Sequence, residues 1–454
     1  MFGRFIKMSK KDIKEKSVLE ENKDEIYKRF LKPLQECEKL RTRVYDSEEN
    51  RDRFDGEYQR DYTRILYASA FRRLQGKMQL FAVQSDQFIR NRLTHSLEVA
   101  QIARSIATEI GYKDDIYVVE ACALAHDIGN PPFGHAGERH LNKLCKEFGG
   151  FEGNAQTFRI LTTVEQKRSD FQGLNLTYRT LLGVLKYFNK FNPHLSESEY
   201  KKQKFIYDPD YELVKRIIKE AEISVRTLDV QIVDLADEIA YAAHDLEDGL
   251  RTGNFTAEDI LHDFCAKVED EECKNKLEEI FEKSKERAGF KNSKIRSSEF
   301  AKLYHKEISS RIINTLINDI GIVRLTESEK KKRGTTADCE IGFVHYKDLA
   351  AGLKVVIYEC AIRKDVVSFY EDNGNAMLTW LYNFYLKHNR YLPPEYRAEI
   401  IVDQFYDGQK SDDTLQKRLI IDYLAGMMDE YVKTTYNHLH SLLKEKEDGE
   451  YLNE

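Results

Sequence analysis

The helical architecture of this chain is clearest in residues 118–138, which read VVEACALAHDIGNPPFGHAGE. The opening positions are almost all apolar, which predicts a buried helix within residues 115–128. That helix must end before Pro131 and Pro132, because proline lacks an amide hydrogen and clashes with the preceding turn. A histidine and an aspartate, His126 and Asp127, therefore lie at the end of a buried helix and beside a stiff bend.

Helical spacing of apolar residues extends outward from this stretch, to residues 62–74, 94–111 and 224–250. The composition also favours helices. Only 7 of the 454 residues are proline, whereas an average protein has about 5% proline. Charged residues make up 33% of the chain, against an average of about 25%. Short β-like stretches occur at 341–344 and 355–358, but no βαβ alternation is present. The residues at 266–300 are rich in Lys and Glu and predict a solvated helical segment. We predict a mainly α fold with at most a few short β strands.

The charges exclude some classes of protein. There are 71 basic and 78 acidic side chains, a net charge of −7, which argues against a chain that coats nucleic acid. The 7 cysteines are scattered without a Cys-x-x-Cys pair and indicate free thiols in a reducing compartment. No apolar run reaches the length of a membrane span. We expect a soluble, cytoplasmic protein without membrane contact.

The pair His126-Asp127 offers an imidazole nitrogen and a carboxylate oxygen, a combination that binds divalent metals. One such dipeptide is a weak signal, so further ligands are needed. His95 begins an earlier apolar helix, where it could also be an ordinary half-buried histidine. Asp237 lies on a later helix, where Asp237, Tyr241 and Asp245 share one face at spacings of four residues. The alternative is that these three residues form an ordinary acidic surface of the helix.

A second pair follows the two prolines. His135 and Glu138 share a helix face, so the carboxylate can orient the imidazole while the imidazole acts as an acid or base near neutral pH. The alternative is a first-turn glutamate that stabilises the helix dipole.

Together these motifs resemble the H…HD…D signature of HD-domain metal-dependent phosphohydrolases, and in particular the deoxyguanosine triphosphate triphosphohydrolase (dGTPase) branch. The resembling blocks keep their order along the chain and lie at residues 75–81, 91–96, 126–138, 151–156, 237–248 and 422–427. Met78 departs from the threonine usual in the family, and the segment 266–300 does not align. The resemblance implies an N-terminal helical arm at 1–50, an HD-domain catalytic core at 51–260, and a C-terminal helical region at 261–454 packed on the core.

The implied activity is metal-dependent hydrolysis of dGTP, or of other deoxynucleoside triphosphates (dNTPs), to deoxynucleoside and inorganic triphosphate. His135 and Glu138 would then be catalytic. The expected cofactor is a divalent metal ion, first Mn²⁺ or Mg²⁺, although Fe, Co, Ni or Zn also suits mixed nitrogen and oxygen ligands. The implied metal ligands are His95, His126, Asp127 and Asp237.

The resemblance also implies substrate contacts and partners. The substrate residues would be Arg92 and Lys186 for phosphates, Asn154 for a phosphate or metal-bound water, Tyr241 and Asp245 for the deoxyribose, and Gln79 for the base. A homo-oligomer, such as a hexamer, and an allosteric dNTP site are expected by the same resemblance. The arginines that would serve a second nucleotide or a subunit contact, or else be solvated, are Arg60, Arg64, Arg72 and Arg73.

Two other functions stay open. One is another HD-domain phosphohydrolase that acts on nucleoside monophosphates or cyclic nucleotides. The other is a regulatory protein that binds nucleotides or single-stranded nucleic acid and has a vestigial metal site. The net charge of −7 opposes general binding of polyanions, but a local groove for single-stranded DNA is compatible with it.

Overall fold

The computed structural model describes residues 16–45, 56–79, 89–292, 294–362, 365–405 and 413–450. In these residues the chain is mainly helical, which confirms the predicted fold class, and its one sheet has two strands. No helix in these ranges is long and apolar enough to cross a membrane. Residues 1–15 of the predicted N-terminal arm lie outside the described ranges.

The first half of the fold carries the predicted site motifs. Its α-helices are α1 (Val18–Ile26), α2 (Lys32–Glu36), α3 (Glu57–Leu66), α4 (Ser69–Arg73), α5 (Arg92–Ile110), α6 (Ile116–Ala125), α7 (Gly134–Leu144), α8 (Gly153–Arg159), α9 (Tyr178–Gly183), α10 (Glu197–Tyr200), α11 (Asp208–Ala221), α12 (Leu228–Ala240) and α13 (Leu246–Arg251).

The second half is also helical, with the small sheet inserted. Its elements are α14 (Ala257–Lys267), α15 (Glu271–Arg287), α16 (Ser297–Asn318), β1 (Ile320–Arg324), α17 (Glu327–Arg333), β2 (Cys339–Phe343), α18 (Lys347–Ile362), α19 (Asp365–Lys387), α20 (Ala398–Phe405), α21 (Asp413–Gly426) and α22 (Asp429–Glu450). Short 3₁₀ and π-helical turns connect some of these helices.

The core of the first half is built around α6, which packs against α3, α5 and α12. From Val118 to Ala125 every residue of α6 is buried, as its apolar sequence predicts. Helix α5 begins at Arg92 because the Asn91 side chain accepts a hydrogen bond from the Thr94 amide in a capping box. This start places the first-turn residue His95 among the buried residues of α5.

The helix predicted at residues 224–250 is shorter and interrupted. It begins at Leu228, because Glu222 and Arg226 have φ of 55° and 64°, values outside the right-handed helical region. A π-helical turn at Tyr241–Asp245 then separates α12 from α13. A π-turn contains more residues than an α-turn, so the spacing of a continuous α-helix is not kept between Tyr241 and Asp245.

The β-like stretch at 355–358 was predicted wrongly, because it lies inside α18. Leu349, Leu353, Val356 and Cys360 are buried there, a spacing typical of a helix. The stretch at 341–344 does contribute a strand: β2 pairs with β1 in antiparallel register, with Ile341 opposite Ile322.

The charged segment 266–300 contains the end of α14, the whole of α15 and the start of α16. Helix α15 is solvated except for one buried stripe, Cys273, Leu277, Ile280, Phe281 and Ser284, on a helix that packs against α16. The predicted solvated helix is therefore correct for most of its surface.

A second apolar cluster, which we call the C-terminal core, joins the helices after residue 365 to the first half. Buried members of the C-terminal core are Phe133, Leu141, Phe151, Leu378, Leu381, Ile421 and Leu424. The domain boundaries near residues 50 and 260 stay a prediction.

Candidate functional site

Three predicted metal ligands converge at the ends of α5, α6 and α12. The His95 Nε2 atom lies 3.1 Å from Asp237 Oδ1, and the His126 Nε2 atom lies 3.6 Å from the same oxygen. One potential ligand atom from each residue lies within 4.8 Å of the others. This trio is the only group of three or more such side chains found among the described residues.

The imidazole of His126 is arranged as a ligand would be. Its Nδ1 donates a hydrogen bond to the Ala123 carbonyl at 2.6 Å, which leaves the lone pair on Nε2. Nε2 is buried and has no hydrogen-bond partner in the described part of the chain. A buried nitrogen without a partner beside a carboxylate fits a metal cation.

Asp127 lies beside this trio but is already engaged. Its Oδ2 accepts a hydrogen bond from Arg92 Nη1 at 2.5 Å, and its Oδ1 accepts one from the Asn130 side chain. Its Oδ1 also lies 3.6 Å from His126 Nε2. Burial opposes ionisation of Asp127, but Arg92 and the nearby histidines lower its pKa to about 2. The carboxylate is therefore ionised near neutral pH.

The electrostatics of the cluster favour a bound positive charge. Burial alone would lower the pKa of His126, but Asp127, Asp237 and the Ala123 carbonyl together raise it to about 9. Burial likewise opposes ionisation of Asp237, yet the two neighbouring histidines hold its pKa well below its usual value. The carboxylates thus stabilise a cation strongly enough to overcome burial.

The second predicted pair is also in contact. The His135 Nδ1 atom lies 3.1 Å from Glu138 Oε2, and Glu138 Oε1 accepts a hydrogen bond from the Gly153 amide at 3.0 Å. Burial opposes ionisation of Glu138, but His135 and Lys204 lower its pKa to about 2. The carboxylate is therefore charged at neutral pH and can orient His135, whose side chain is 56% exposed.

Both groups open into one cavity of about 220 Å³. It lies among residues from α5, α7, α8, α12 and α18 and from the loops around them. The lining includes Arg92, His126, Asp127, His135, Glu138, Asn154, Lys186, Lys204, Asp237, Tyr241 and Lys354. Nine of the twelve predicted site residues are in this lining, and a tenth, His95, contacts Asp237 from beneath it.

Lys186, one of the cations that line the cavity, is held by carboxylates. Lys186 Nζ lies 3.1 Å from Asp234 and 3.8 Å from Asp237. Burial would neutralise Lys186, but Asp234 and the neighbouring groups hold its pKa well above the usual value. Lys186 therefore stays charged.

Two lining lysines were missed by the sequence analysis. Lys204 Nζ lies 2.6 Å from Glu152 and 3.8 Å from Glu138. Lys354 Nζ lies 4.4 Å from the centre of the Tyr241 ring. Neither lysine belongs to a recognisable motif. The need for local cations in an acidic chain was the only available signal, and it does not single out particular lysines.

Asn154 and Tyr241 line the cavity with different contacts. The Asn154 amide donates to Glu152 Oε1 at 2.8 Å. The Tyr241 ring meets the His95 ring edge-on with centres 5.5 Å apart. Tyr241 thus packs directly on the candidate metal ligands.

Gln79 and Asp245 do not line this cavity. They are 8% and 2% exposed, and neither the Gln79 amide nor Asp245 Oδ2 has a hydrogen-bond partner among the described residues. Burial, together with Asp248, raises the pKa of Asp245 well above its usual value. Gln79 is the last described residue before the gap at 80–88.

Two of the four arginines proposed for a second nucleotide site donate hydrogen bonds to backbone carbonyls of this chain. Arg64 donates to the carbonyls of Leu174 and Asn175, and Arg72 donates to the Tyr67 carbonyl. These contacts favour a structural role for both side chains.

Comparison with known proteins identifies the family. The HD domain family matches residues 92–242, and the phosphohydrolase-associated domain matches residues 345–438. A deoxyguanosinetriphosphate triphosphohydrolase-like protein 2 from Vibrio cholerae is 42% identical over 404 residues, which cover 88% of this chain and 92% of that protein.

Proteins named deoxyguanosinetriphosphate triphosphohydrolase-like from Leptospira interrogans and Caulobacter vibrioides are each 33% identical. Their alignments cover 87% and 89% of this chain, and 92% and 94% of those proteins. These likenesses confirm the resemblance drawn from the motifs. Since they extend over nearly the whole length of both partners, this chain belongs to the deoxyguanosinetriphosphate triphosphohydrolase-like family of HD-domain phosphohydrolases.

Proposed function

We propose that this protein is a metal-dependent dNTP triphosphohydrolase that converts dGTP, or other dNTPs, to deoxynucleoside and inorganic triphosphate. The observation that carries the proposal is that a His/Asp trio, a His/Glu pair and several cations line one cavity. A phosphate ester needs this combination, because its charge must be neutralised, a water positioned and the leaving oxygen protonated.

The metal ligands we propose are His95, His126 and Asp237, with Asp127 as the fourth. The buried Nε2 of His126, without a partner in the described chain, supports this assignment. A bound divalent ion supplies Lewis-acid stabilisation of charge on the phosphate being attacked. We expect Mn²⁺ or Mg²⁺, and the mixed ligand set also suits Fe, Co, Ni and Zn.

His135 is the proposed acid or base, and Glu138 is the residue that orients it. Because Glu138 stays ionised, it accepts a hydrogen bond from Nδ1 of His135 and leaves Nε2 to exchange a proton on the substrate side. In the proposed reaction, water forms a bond to the α-phosphorus while the bond to the 5′ oxygen breaks. That oxygen takes a proton and leaves as deoxynucleoside.

The triphosphate brings about four negative charges near pH 7, so it needs cations in an acidic protein. We propose Arg92, Lys186, Lys204 and Lys354 for this role, since all four line the cavity. Arg92, Lys186 and Lys204 already pair with carboxylates, which would share them with the phosphates. Asn154 is the proposed neutral contact to a phosphate or a bound water.

The remaining substrate contacts concern the nucleoside. We propose Tyr241 and Asp245 for the deoxyribose and Gln79 for the base. The unpartnered polar atoms of Gln79 and Asp245 support this, because buried polar groups ordinarily have hydrogen-bond partners. A homo-oligomer, an allosteric dNTP, single-stranded DNA as a partner and a cytoplasmic location stay predictions.

Chromatography of the products tests the proposal. The purified protein is incubated with Mn²⁺ or Mg²⁺ and, separately, with dGTP, dATP, dCTP, dTTP, GTP and dGMP. We expect deoxyguanosine and triphosphate from dGTP, and little reaction with GTP. Release of pyrophosphate or single phosphates from dGTP, or faster reaction with dGMP, would favour the other HD-domain phosphohydrolase activities.

A further inference from the structure

The loop between the metal ligands and His135 has an unusual backbone. This double-proline loop, residues 128–133, ends at Phe133, whose φ of 62° lies in the left-handed region. That conformation is unfavourable for a residue with a Cβ and persists only when neighbouring groups hold it. His135 is only two residues beyond Phe133, so the backbone conformation at Phe133 determines the position of His135.

Groups from the C-terminal region hold Phe133. The amide of Phe133 donates to Asp429 Oδ1 at 3.1 Å, and Asp429 is the first residue of α22. The Phe133 ring is 1% exposed and meets the Tyr370 ring edge-on at 5.5 Å. A Cβ on Gly374 would lie only 2.5 Å from the Phe133 ring, so this contact leaves no space.

A second connection runs through residues 76–78. Lys77 Nζ donates to the Asn130 carbonyl at 2.5 Å and to the Ala425 carbonyl at 2.7 Å. The other oxygen of Asp429, Oδ2, accepts a hydrogen bond from the Met78 amide at 3.1 Å. Lys77 is 2% exposed and Asp429 is 6% exposed. The same two side chains therefore join the double-proline loop to the ends of α21 and α22.

The metal ligand His126 does not depend on these connections. It caps the end of α6, and its Nδ1 contacts the Ala123 carbonyl of the same helix. A shift of the double-proline loop would thus move His135 relative to His126, and also relative to His95 and Asp237, which lie on α5 and α12.

We propose that Lys77 and Asp429 are positioning residues, through which the phosphohydrolase-associated region sets the place of His135 relative to the metal ligands. This role rests on the proposed function of His135. The predicted consequence is specific: loss of either connection lowers turnover while metal binding is retained.

The test compares Asp429→Asn with Asp422→Asn. Asparagine keeps the shape of Asp429 but replaces one acceptor oxygen by an NH₂ group, so one of the two amide bonds is lost. Asp422 is a matched control, because it is 2% exposed in α21 and accepts from Gln156 and Arg159 rather than from the double-proline loop. Both variants remove a buried carboxylate from the same region.

Three quantities are measured for each variant: hydrogen exchange at the Phe133 and Met78 amides, metal content, and kcat and KM for dGTP. We expect Asp429→Asn to speed exchange at one or both of these amides, retain its metal, and lower kcat at least about tenfold with a small change in KM. Asp422→Asn should leave exchange at these amides and kcat near the wild-type values, although its melting temperature falls.

Lys77→Met provides an independent variant if Asp429→Asn does not fold, and it should lower kcat in the same way. Unchanged exchange at both the Phe133 and Met78 amides in Asp429→Asn, or an equal loss of kcat in Asp422→Asn, would overturn the positioning role. The products of the wild-type enzyme distinguish a failure of the positioning role from a failure of the proposed function. If dGTP yields no triphosphate, the proposed function is wrong, whereas the exchange measurements still decide whether Asp429 holds the loop.

Discussion

The Nε2 atom of His126 lies 3.6 Å from Asp237 Oδ1, while Nδ1 of the same ring is held by the Ala123 carbonyl. These two residues come from different helices, α6 and α12. Their approach creates a half-buried pair, in which the nitrogen has no hydrogen-bond partner among the described residues and the carboxylate is ionised. The proposed activity requires that this pair bind a metal.

Replacement of His126 should therefore remove the metal. His126→Ala deletes a ligand, so we expect metal affinity to fall at least about 100-fold and activity to fall with it. Metal content after dialysis, measured by mass spectrometry, checks this. His140→Ala is the control, because His140 contacts Thr379 and lies outside the cluster. Full metal occupancy in His126→Ala would contradict the assignment.

Replacement of His135 should lower activity without removing the metal. His135→Ala removes the proposed acid or base but no ligand, so metal content should be retained while kcat falls about 100-fold or more. Glu138→Gln should keep the geometry and lower kcat less, since it weakens only the orientation of His135. Loss of metal from His135→Ala would mean that this histidine is a ligand.

The two lysines that the sequence did not identify should affect substrate binding. Lys354→Met or Lys204→Met removes a cation from the cavity, so KM for dGTP should rise more than kcat falls, by about tenfold. The control is Lys190→Met, whose lysine is 53% exposed and pairs with Glu212 at the surface. An unchanged KM in both cavity variants would exclude these lysines from triphosphate binding.

The buried amine of Lys77 should make stability depend on pH. Burial, aided by Arg92 and Arg73 and opposed by Asp429, lowers the pKa of Lys77 from 10.5 to about 7. Below pH 7 both the folded and unfolded states hold the proton. Between pH 7 and pH 10.5 only the unfolded state holds the proton on Lys77, so the free energy of unfolding rises with pH.

Urea unfolding of the wild type and Lys77→Met from about pH 6 to about pH 10 measures this effect. The difference between the two curves should rise by up to about 1.4 kcal/mol per pH unit above pH 7. Parallel curves would show that Lys77 keeps an ordinary pKa in the folded protein.

Much of the candidate site could be predicted from residue types at helix ends. His126 and Asp127 were identifiable because a polar, metal-binding pair ends an apolar helix before two prolines. His95 and Asp237 gained significance only as members of an ordered set. Their approach within 4.8 Å results from the packing of α5 and α12 on α6, which local patterns do not specify.

Other features depend on tertiary contacts and could not be predicted from the sequence. The π-turn at Tyr241–Asp245 has no signal in the periodicity of apolar residues. The left-handed Phe133 is a conformation that sequence favours only for glycine or asparagine, and here contacts with distant residues maintain it. Val355 lies in a stretch with high β propensity, yet burial at helical spacing along α18 overrides that propensity.

The most direct test of the proposed activity is mass spectrometry of the products of dGTP hydrolysis in ¹⁸O-labelled water with Mn²⁺. Attack of water at the α-phosphorus predicts one ¹⁸O atom in inorganic triphosphate and none in deoxyguanosine. Pyrophosphate or orthophosphate as the labelled product, or ¹⁸O in the nucleoside, would contradict a triphosphohydrolase that breaks the bond between the α-phosphorus and the 5′ oxygen.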